Sequence, residues 1–299
     1  MDTNKVKLGI APIGWCNDDM PELGGENTFQ QIVSEMALAG FTGCEIGNKY
    51  PKDAAELKKA LDLRGMTIAS RWFSSFILTQ PIEQVVEDFN KELDFLAAVG
   101  ANRINVSEQS YSIQGKLDTP ILTGGHKYVM NDEEWKRFCD GLNTLGKIAV
   151  ERGFKLCFHH HMGTVVQTSE ETDRMMSNTD PRYVFLCYDT GHFTFAGEDP
   201  LAMLKKYKDR IGHVHLKDMR LDVVKQVSEN NWSFLEAVRN GAFTVPGDGG
   251  VDFDPIFEVL NEANYEGWLL VEAEQDPAKA NPLEYAMKAR KYIKEHTGL

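Results

Sequence analysis

Apolar residues along this chain switch repeatedly between two rhythms. Short β-rich runs alternate with longer stretches whose apolar positions recur every three or four residues, the spacing of one helix face. "VKLGIAP" (6–12) is the first short run, and "NTFQQIVSEMALAG" (27–40) is the first helical one. Asn27 or Thr28 is placed to cap that helix and Gly40 to stop it. The same alternation predicts further strands at 43–47, 66–73, 102–107, 154–160, 183–189, 212–218 and 267–274. It predicts helices at 54–65, from Pro81 to 101, at 131–152, 169–178, from near Pro200, at 254–265 and at 282–296.

Eight strand–helix units therefore fill the 299 residues. Strands joined by helical crossovers run parallel. Eight such units closing on themselves make an α/β fold of the (β/α)8 TIM-barrel type. An open doubly wound sheet is the rival. It calls for a Gly-rich phosphate turn after the first strand, and "IAPIGWCNDD" lacks the GxGxxG spacing. No Gly/Ser- or Pro-rich linker divides the chain, so one domain over 1–299 is expected. Two connections are long, 108–130 and 218–252, and both follow the C-terminal end of a strand, the active-site face of a barrel. The second carries "VPGDGG" (245–250), which predicts a lid with glycine hinges.

Charge narrows the function. The formal net charge is −13, whereas duplex binding needs a basic surface to neutralise phosphates. The short basic cluster "KKYKDR" (205–210) reads as solvated helix surface, so no nucleic-acid partner is expected. Five scattered cysteines, with Cys44, Cys157 and Cys187 inside strands, read as small core residues. The N-terminal stretch has no apolar signal region and no run approaches the ~18 apolar residues of a membrane span. A cytoplasmic, membrane-free setting is the expectation.

Polar residues collect at the strand ends. They are Trp15, Asn17 and Asp18; Glu45; Arg71 and Trp72; Ser107, Glu108 and Gln109; His159, His160 and His161; Asp189 and His192; His213, His215, Lys217 and Asp218; and Glu272 and Glu274. Strand alternation puts His159 and His161 on one face and His160 on the other. His213, His215 and Lys217 share a face, as do Glu272 and Glu274. Four consecutive strands could then reach one central ion, and mixed imidazole and carboxylate suits Mn²⁺, Co²⁺, Zn²⁺ or Fe²⁺. One histidine at a strand end is ordinarily a satisfied polar group, and Asp–Thr–Gly is common turn chemistry. Convergence is what points to a cation, because many ionisable groups buried in one mouth must be paired or bind one. Cys16 lies near the same mouth, but no base stands beside it in sequence.

The strand ends "LCFHHH", "CYDTGH", "HVHLKD" and "VEAE" resemble the xylose-isomerase-like superfamily of metal-dependent barrels. That superfamily includes sugar isomerases and epimerases, dehydroshikimate dehydratases and a DNA-repair endonuclease. Within it, residues 10–51, "FHHHMGT" (158–164), "YDTGHFTFAG" (188–197) and "VPGDGGVDF" (245–253) resemble the inosose dehydratase family of myo-inositol catabolism. The resemblance covers essentially the whole chain. It implies metal ligands at Asp189, His215 and Glu272. The fourth position departs: members often carry Glu-x-His at the end of strand five, and here His159 stands where the glutamate is expected, with His161 on the accompanying histidine. Replacing that glutamate removes one negative charge and leaves a bound ion more electrophilic.

The implied reaction is a hydro-lyase one. 2-Keto-myo-inositol (scyllo-inosose) loses water through its enol to give a trihydroxycyclohexane-1,2-dione. That chemistry needs a Lewis acid at the ketone oxygen, a base for the α-proton and an acid for the leaving hydroxyl. His161, His192, Lys217 and Glu274 are the unranked candidates for proton transfer. Trp15, Asn17, Glu45, Trp72 and Gln109 are the candidates for contacting the polyol. Mn²⁺ or Co²⁺ is the implied metal, glutathione is a further implied cofactor, and association into a homo-oligomer is in keeping with the family. Three alternatives stay open: a metal-dependent sugar isomerase or 3-epimerase working through an enediolate, a non-catalytic polyol-binding protein, and a nucleic-acid enzyme.

Overall fold

The computed structural model describes all 299 residues. Most of its helices begin where a side chain takes over an orphan backbone N–H. Thr28 accepts from the Gln31 N–H to open α1 (Phe29–Leu38), and Asp53 accepts from the Glu56 N–H to open α2 (Ala54–Asp62). α3 (Ile82–Ala98) starts directly after Pro81. Capping boxes, Asn131 with Glu134 and Thr168 with Glu171, open α4 (Asp132–Glu151) and α5 (Ser169–Ser177). Asp189 opens a short buried helix, α6 (Thr190–Phe195), which strand and helix periodicity did not predict. α7 (Pro200–Tyr207) follows it.

The parallel strands are β1 (Val6–Ile10), β2 (Gly43–Glu45), β3 (Thr67–Ser70), β4 (Trp72–Ser75), β5 (Arg103–Glu108), β6 (Lys155–His159), β7 (Val184–Asp189) and β8 (Ile211–Leu216). Two short strands, β9 (Asp218–Met219) and β10 (Phe243–Thr244), pair antiparallel with each other outside that sheet. α8 (Leu221–Asn230) and α9 (Phe234–Arg239) lie between these two strands in sequence. After α10 (Asp254–Glu262), β11 (Gly267–Val271) completes the main sheet and α11 (Pro282–Thr297) ends the chain. The sheet order is β3-β2-β1-β11-β8-β7-β6-β5-β4. The two ends of that row, β3 and β4, are halves of the one strand expected at 66–73. They are separated only by Arg71, whose carbonyl accepts from the Asn105 N–H at 2.9 Å. One broken strand thus belongs to both edges, and the sheet closes into the expected barrel.

Alternation sorts the side chains into two layers. Val6, Leu8, Ile10, Ile104, Val106, Leu156, Phe158, Leu186, Val214, Leu216, Leu269 and Val271 join the helices in a 64-residue apolar core. The intervening positions face the barrel interior. Trp268 and Leu270 fill one end of it with Ala11 and Ala69, and Trp268 leaves no room for a side chain at Gly43. The other end holds the polar strand ends.

Two register shifts align those polar ends. β2 pairs Cys44 with Ile68 but Glu45 with Ser70, so Ala69 is an extra residue. β7 pairs Leu186 with Ile211 but Cys187 with His213, so Gly212 is extra. The second shift sets Asp189 beside His215. A one-residue slip reverses the face of every following side chain. Gly212 fits there because a Cβ would meet Cys157 Sγ at 2.6 Å and Phe185 Cβ at 2.7 Å.

The 218–252 stretch is folded and pinned, unlike the glycine-hinged lid expected from "VPGDGG". The Asp218 carboxylate accepts from the backbone N–H of Met219 (2.8 Å), Gly249 (2.9 Å), Val251 (2.9 Å) and Gly247 (3.2 Å). Arg220 and Lys288 both reach Asp248 in the same turn. Phe234 and Phe243 from this stretch join Met162 and Phe195 in a second apolar core of 13 residues. Past Glu108, the end of β5, the 108–130 connection has no regular element, but Ile113 donates to the Gly163 carbonyl and Ile121 to the Trp232 carbonyl, which ties it across the same face.

Gly212→Ala should destabilise the protein by about 1–3 kcal/mol through overpacking, read as a lower urea midpoint with an unchanged m-value. Asp218→Ala should leave the Gly249 and Val251 amides without acceptors. Bonds to a charged group contribute about 1.5–3 kcal/mol, so their hydrogen exchange should accelerate at least about tenfold while the barrel strands keep their protection.

Candidate active site

Four consecutive strand ends bring His159, Asp189, His215 and Glu272 together, their donor atoms all within 4.8 Å of one another. His159 Nε2 lies 3.1 Å from His215 Nδ1, and His215 Nδ1 lies 3.1 Å from Glu272 Oε2. Asp189 Oδ2 is 3.4 Å from each of these two nitrogens. Asp189 owes its orientation to α6: Oδ1 accepts from the His192 N–H at 2.8 Å as the helix cap. That leaves Oδ2 fully buried without a hydrogen-bond partner and turned to the imidazoles. A tetrahedral ion with bonds of about 2.0–2.2 Å requires donors about 3.4 Å apart, close to the 3.1–3.4 Å of these four contacts. Two nitrogens and two carboxylate oxygens also suit a borderline divalent cation. The residues fit a metal. Glu272 lies one residue past β11, where the strand predicted to run on to 274 stops at Val271, yet its N–H still donates to the Leu216 carbonyl.

A second group stands directly beside the first. Lys217 Nζ lies 2.6 Å from Glu272 Oε1, 2.9 Å from Glu274 Oε2, 3.1 Å from His192 Nε2 and 3.5 Å from Asp189 Oδ2. Burial pulls the Lys217 ammonium toward neutrality, but Asp189, Glu272 and Glu274 outweigh it and hold the group charged. His161, His192 and Glu274 also place donor atoms within 4.8 Å of one another. The Lys217 cation already occupies that neighbourhood, in contact with His192 and Glu274. The rings of His161 and His192 lie 3.8 Å apart. Burial keeps both well below the usual imidazole range, and so neutral. His161 Nδ1 is 2.8 Å from the Met162 carbonyl, which can only accept, so Nδ1 carries the proton and Nε2 is left as a free base. Burial, with Glu272 adding to it against the pull of Lys217, pushes Glu274 up to about 7.

A cavity of about 840 Å³ opens over these groups, and His161, Glu272 and Glu274 form part of its wall. Trp72 and Gln109 line it as predicted positions, and the Trp72 ring lies 5.3 Å from the His159 ring. Trp15 and Asn17, expected on the wall, are off it. Trp15 is buried and its indole N–H donates to Glu35 (2.6 Å), while Asn17 Oδ1 caps the turn at Asp19 and Met20. Their neighbours Asp18 and Asp19 line the cavity instead. Burial raises Asp18 to about 6. Arg71, Asn48, Ser112 and Gln114 add to its polar lining. No periodic signal marks the positions in the irregular turns, since only regular backbone has a face.

Glu45, expected at the substrate, borders the cavity but is engaged below it. Its Oε1 accepts from Asn105 Nδ2 (2.7 Å) and from the Ser70 hydroxyl, and lies 3.1 Å from Nε2 of both His213 and His215. Burial alone would raise Glu45, but the two histidines hold it well below the usual carboxylate range. Asn105 and Ser70 are not among the residues singled out from the sequence; with Ile104 and Val106 in the outer core, alternation on β5 turns Asn105 inward. His160 faces away, as alternation required. Its ring stacks on Phe193 with centroids 3.6 Å apart, and burial lowers it to about 3.

Residues 33–296 match the family model described as xylose isomerase-like TIM barrel. The chain is 63% identical over 298 residues to the inosose dehydratase of Clostridium beijerinckii, covering 100% of this chain and 99% of that one. It is 62% identical over 299 residues to the inosose dehydratase of Clostridium perfringens, with complete coverage of both. Among solved structures, the IolI protein with a bound zinc atom superposes with a TM-score of 0.72 at 16% identity, covering 98% of each chain, which speaks to the fold. A barrel of this type and identity sustained from end to end place the chain in the inosose dehydratase family.

Proposed function

We propose that this protein removes water from 2-keto-myo-inositol to give a trihydroxycyclohexane-1,2-dione, as a metal-dependent hydro-lyase of myo-inositol catabolism. One observation carries the reading: a four-donor metal set and a proton-handling set stand side by side and reach one cavity wall through Glu272, His161 and Glu274, in a chain more than 60% identical to proteins named for that reaction. The charge of the cavity supports a neutral polyol. Asp18, Asp19, Glu45, Glu92, Glu272 and Glu274 line it against only Lys52 and Arg71, a balance that repels phosphate esters. We read the chain as one cytoplasmic domain.

His159, Asp189, His215 and Glu272 would hold the ion, for which Mn²⁺ or Co²⁺ is our assignment; the zinc in the IolI structure belongs to that protein. A divalent ion bound there supplies Lewis acidity toward a ketone oxygen. His161 acts as general base: the residue lines the cavity, its Nε2 is free of a proton, and burial keeps the ring neutral. Its proton must then be removed or stabilised, and His192, in ring contact with it, is next in line. Lys217 and Glu274, 2.9 Å apart, form the donor pair for the leaving hydroxyl. Phe234 and Phe243 pack over His161, His192 and Lys217 and keep bulk water from the proton path. Trp72 offers an apolar ring face to the carbocycle, and Gln109 a hydroxyl-reading amide. A 3-epimerase would instead need an acid to return the proton to the opposite face, and His159 stands where the superfamily resemblance puts a glutamate.

EDTA treatment should abolish dehydration of 2-keto-myo-inositol, followed by the ultraviolet absorption of the dione's enol. Mn²⁺ or Co²⁺ should restore it, with and without added glutathione as separate arms. Full activity after exhaustive chelation refutes the metal role. His215→Ala and Glu272→Gln should each lose bound metal. His161→Ala should keep it and lower kcat about 10²–10⁴-fold, the usual size of a lost general base; metal content by elemental analysis separates the two classes.

A further inference from the structure

The two ligand imidazoles differ on their far sides. His159 Nδ1 is buried with no partner. His215 Nε2 instead meets Glu45 Oε1 at 3.1 Å. A carboxylate accepts and does not donate, so His215 Nε2 carries a proton toward Glu45, and Nδ1 is the nitrogen left to offer its lone pair once an ion displaces the proton there. Nδ1 is the nitrogen that faces His159, Asp189 and Glu272. Glu45 is itself held from three further directions: Asn105 donates at 2.7 Å, Ser70 donates, and His213 Nε2 lies at 3.1 Å. It cannot swing without breaking all of them. The extra residue Ala69 in β3 is what brings Ser70 opposite Glu45. A carboxylate gripping the outer nitrogen of a ligand histidine fixes its tautomer and ring angle and raises its basicity.

We infer that Glu45 is a positioning residue for the metal: through the Oε1···Nε2 hydrogen bond it presets His215 with Nδ1 aimed at the ion, and it is not a substrate contact. The inference rests on the ligand set proposed above. It would make β2, which supplies no ligand, a determinant of metal affinity.

The test is Zn²⁺ affinity of the full-length protein by competition with a fluorescent chelator. Glu45→Gln should weaken it about 10–100-fold, the range for lost partners of ligand histidines. His215→Ala should weaken it too, and the double variant should be no weaker than His215→Ala alone, because Glu45 acts only through that ring. Wild-type affinity in Glu45→Gln, or a further tenfold loss in the double variant, overturns the inference. Wild-type affinity in His215→Ala overturns the ligand set itself, a separate outcome. Should Glu45→Gln not fold, two measurements remain. Glu45→Asp, whose oxygen is withdrawn by one methylene, should also bind Zn²⁺ more weakly. The imidazole ¹⁵N spectrum of the Zn²⁺-loaded wild type should show His215 protonated at Nε2; protonation at Nδ1 refutes the assignment.

Discussion

The ammonium of Lys217 lies within 3.5 Å of three carboxylates, those of Asp189, Glu272 and Glu274, at a position without solvent exposure. Charges in such a place are tolerated only when paired. Without this cation the three carboxylates would repel one another in a medium that screens poorly. Asp189 and Glu272 are also half of the metal set. Lys217 therefore holds the carboxylates of the proposed ligand set in place, and it touches His192 and Glu274 of the neighbouring group. The two groups of residues are coupled through one nitrogen atom.

That arrangement depends on a dry environment, which the barrel alone does not provide. The strand ends open on the C-terminal face, where water would otherwise reach Lys217 and His192. Residues 218–252 cover Lys217 and His192 with a second small core, and the Phe243 ring centre lies 4.9 Å from the Lys217 nitrogen. Asp218 fastens that cover at its base by accepting four backbone N–H groups. Asp218 directly follows Lys217, so the residue that binds the carboxylates and the residue that anchors their cover move as one piece of backbone.

Much of the site was legible because strand alternation is a local property. It separated His159 and His161 from His160, and it grouped His213, His215 and Lys217, and Glu272 and Glu274. The barrel was legible for the same reason, from eight repeats of two periods. The irregular turns were not. After β1 the chain has no period, so Trp15 and Asn17 could not be told from Asp18 and Asp19, the pair that reaches the cavity. The glycines of "VPGDGG" suggested mobility, because glycine permits it; the Asp218 carboxylate removes it. Helix α6 escaped notice because six residues give too short a window for a 3.6-residue period to be recognised.

What the sequence by itself determined is the order of elements, the parallel closure that follows from it, and the face on which each strand residue lies. These depend on neighbours a few positions away. Only the tertiary structure decided which groups meet. The unpaired Gly212 moves His215 into line with Asp189, and the unpaired Ala69 moves Ser70 into line with Glu45. Glu45 and His215 stand 170 positions apart in the chain. Contacts at that separation are set by barrel closure and by single-residue register shifts, and a register shift has no signature in the pattern of one strand because it is a relation between two.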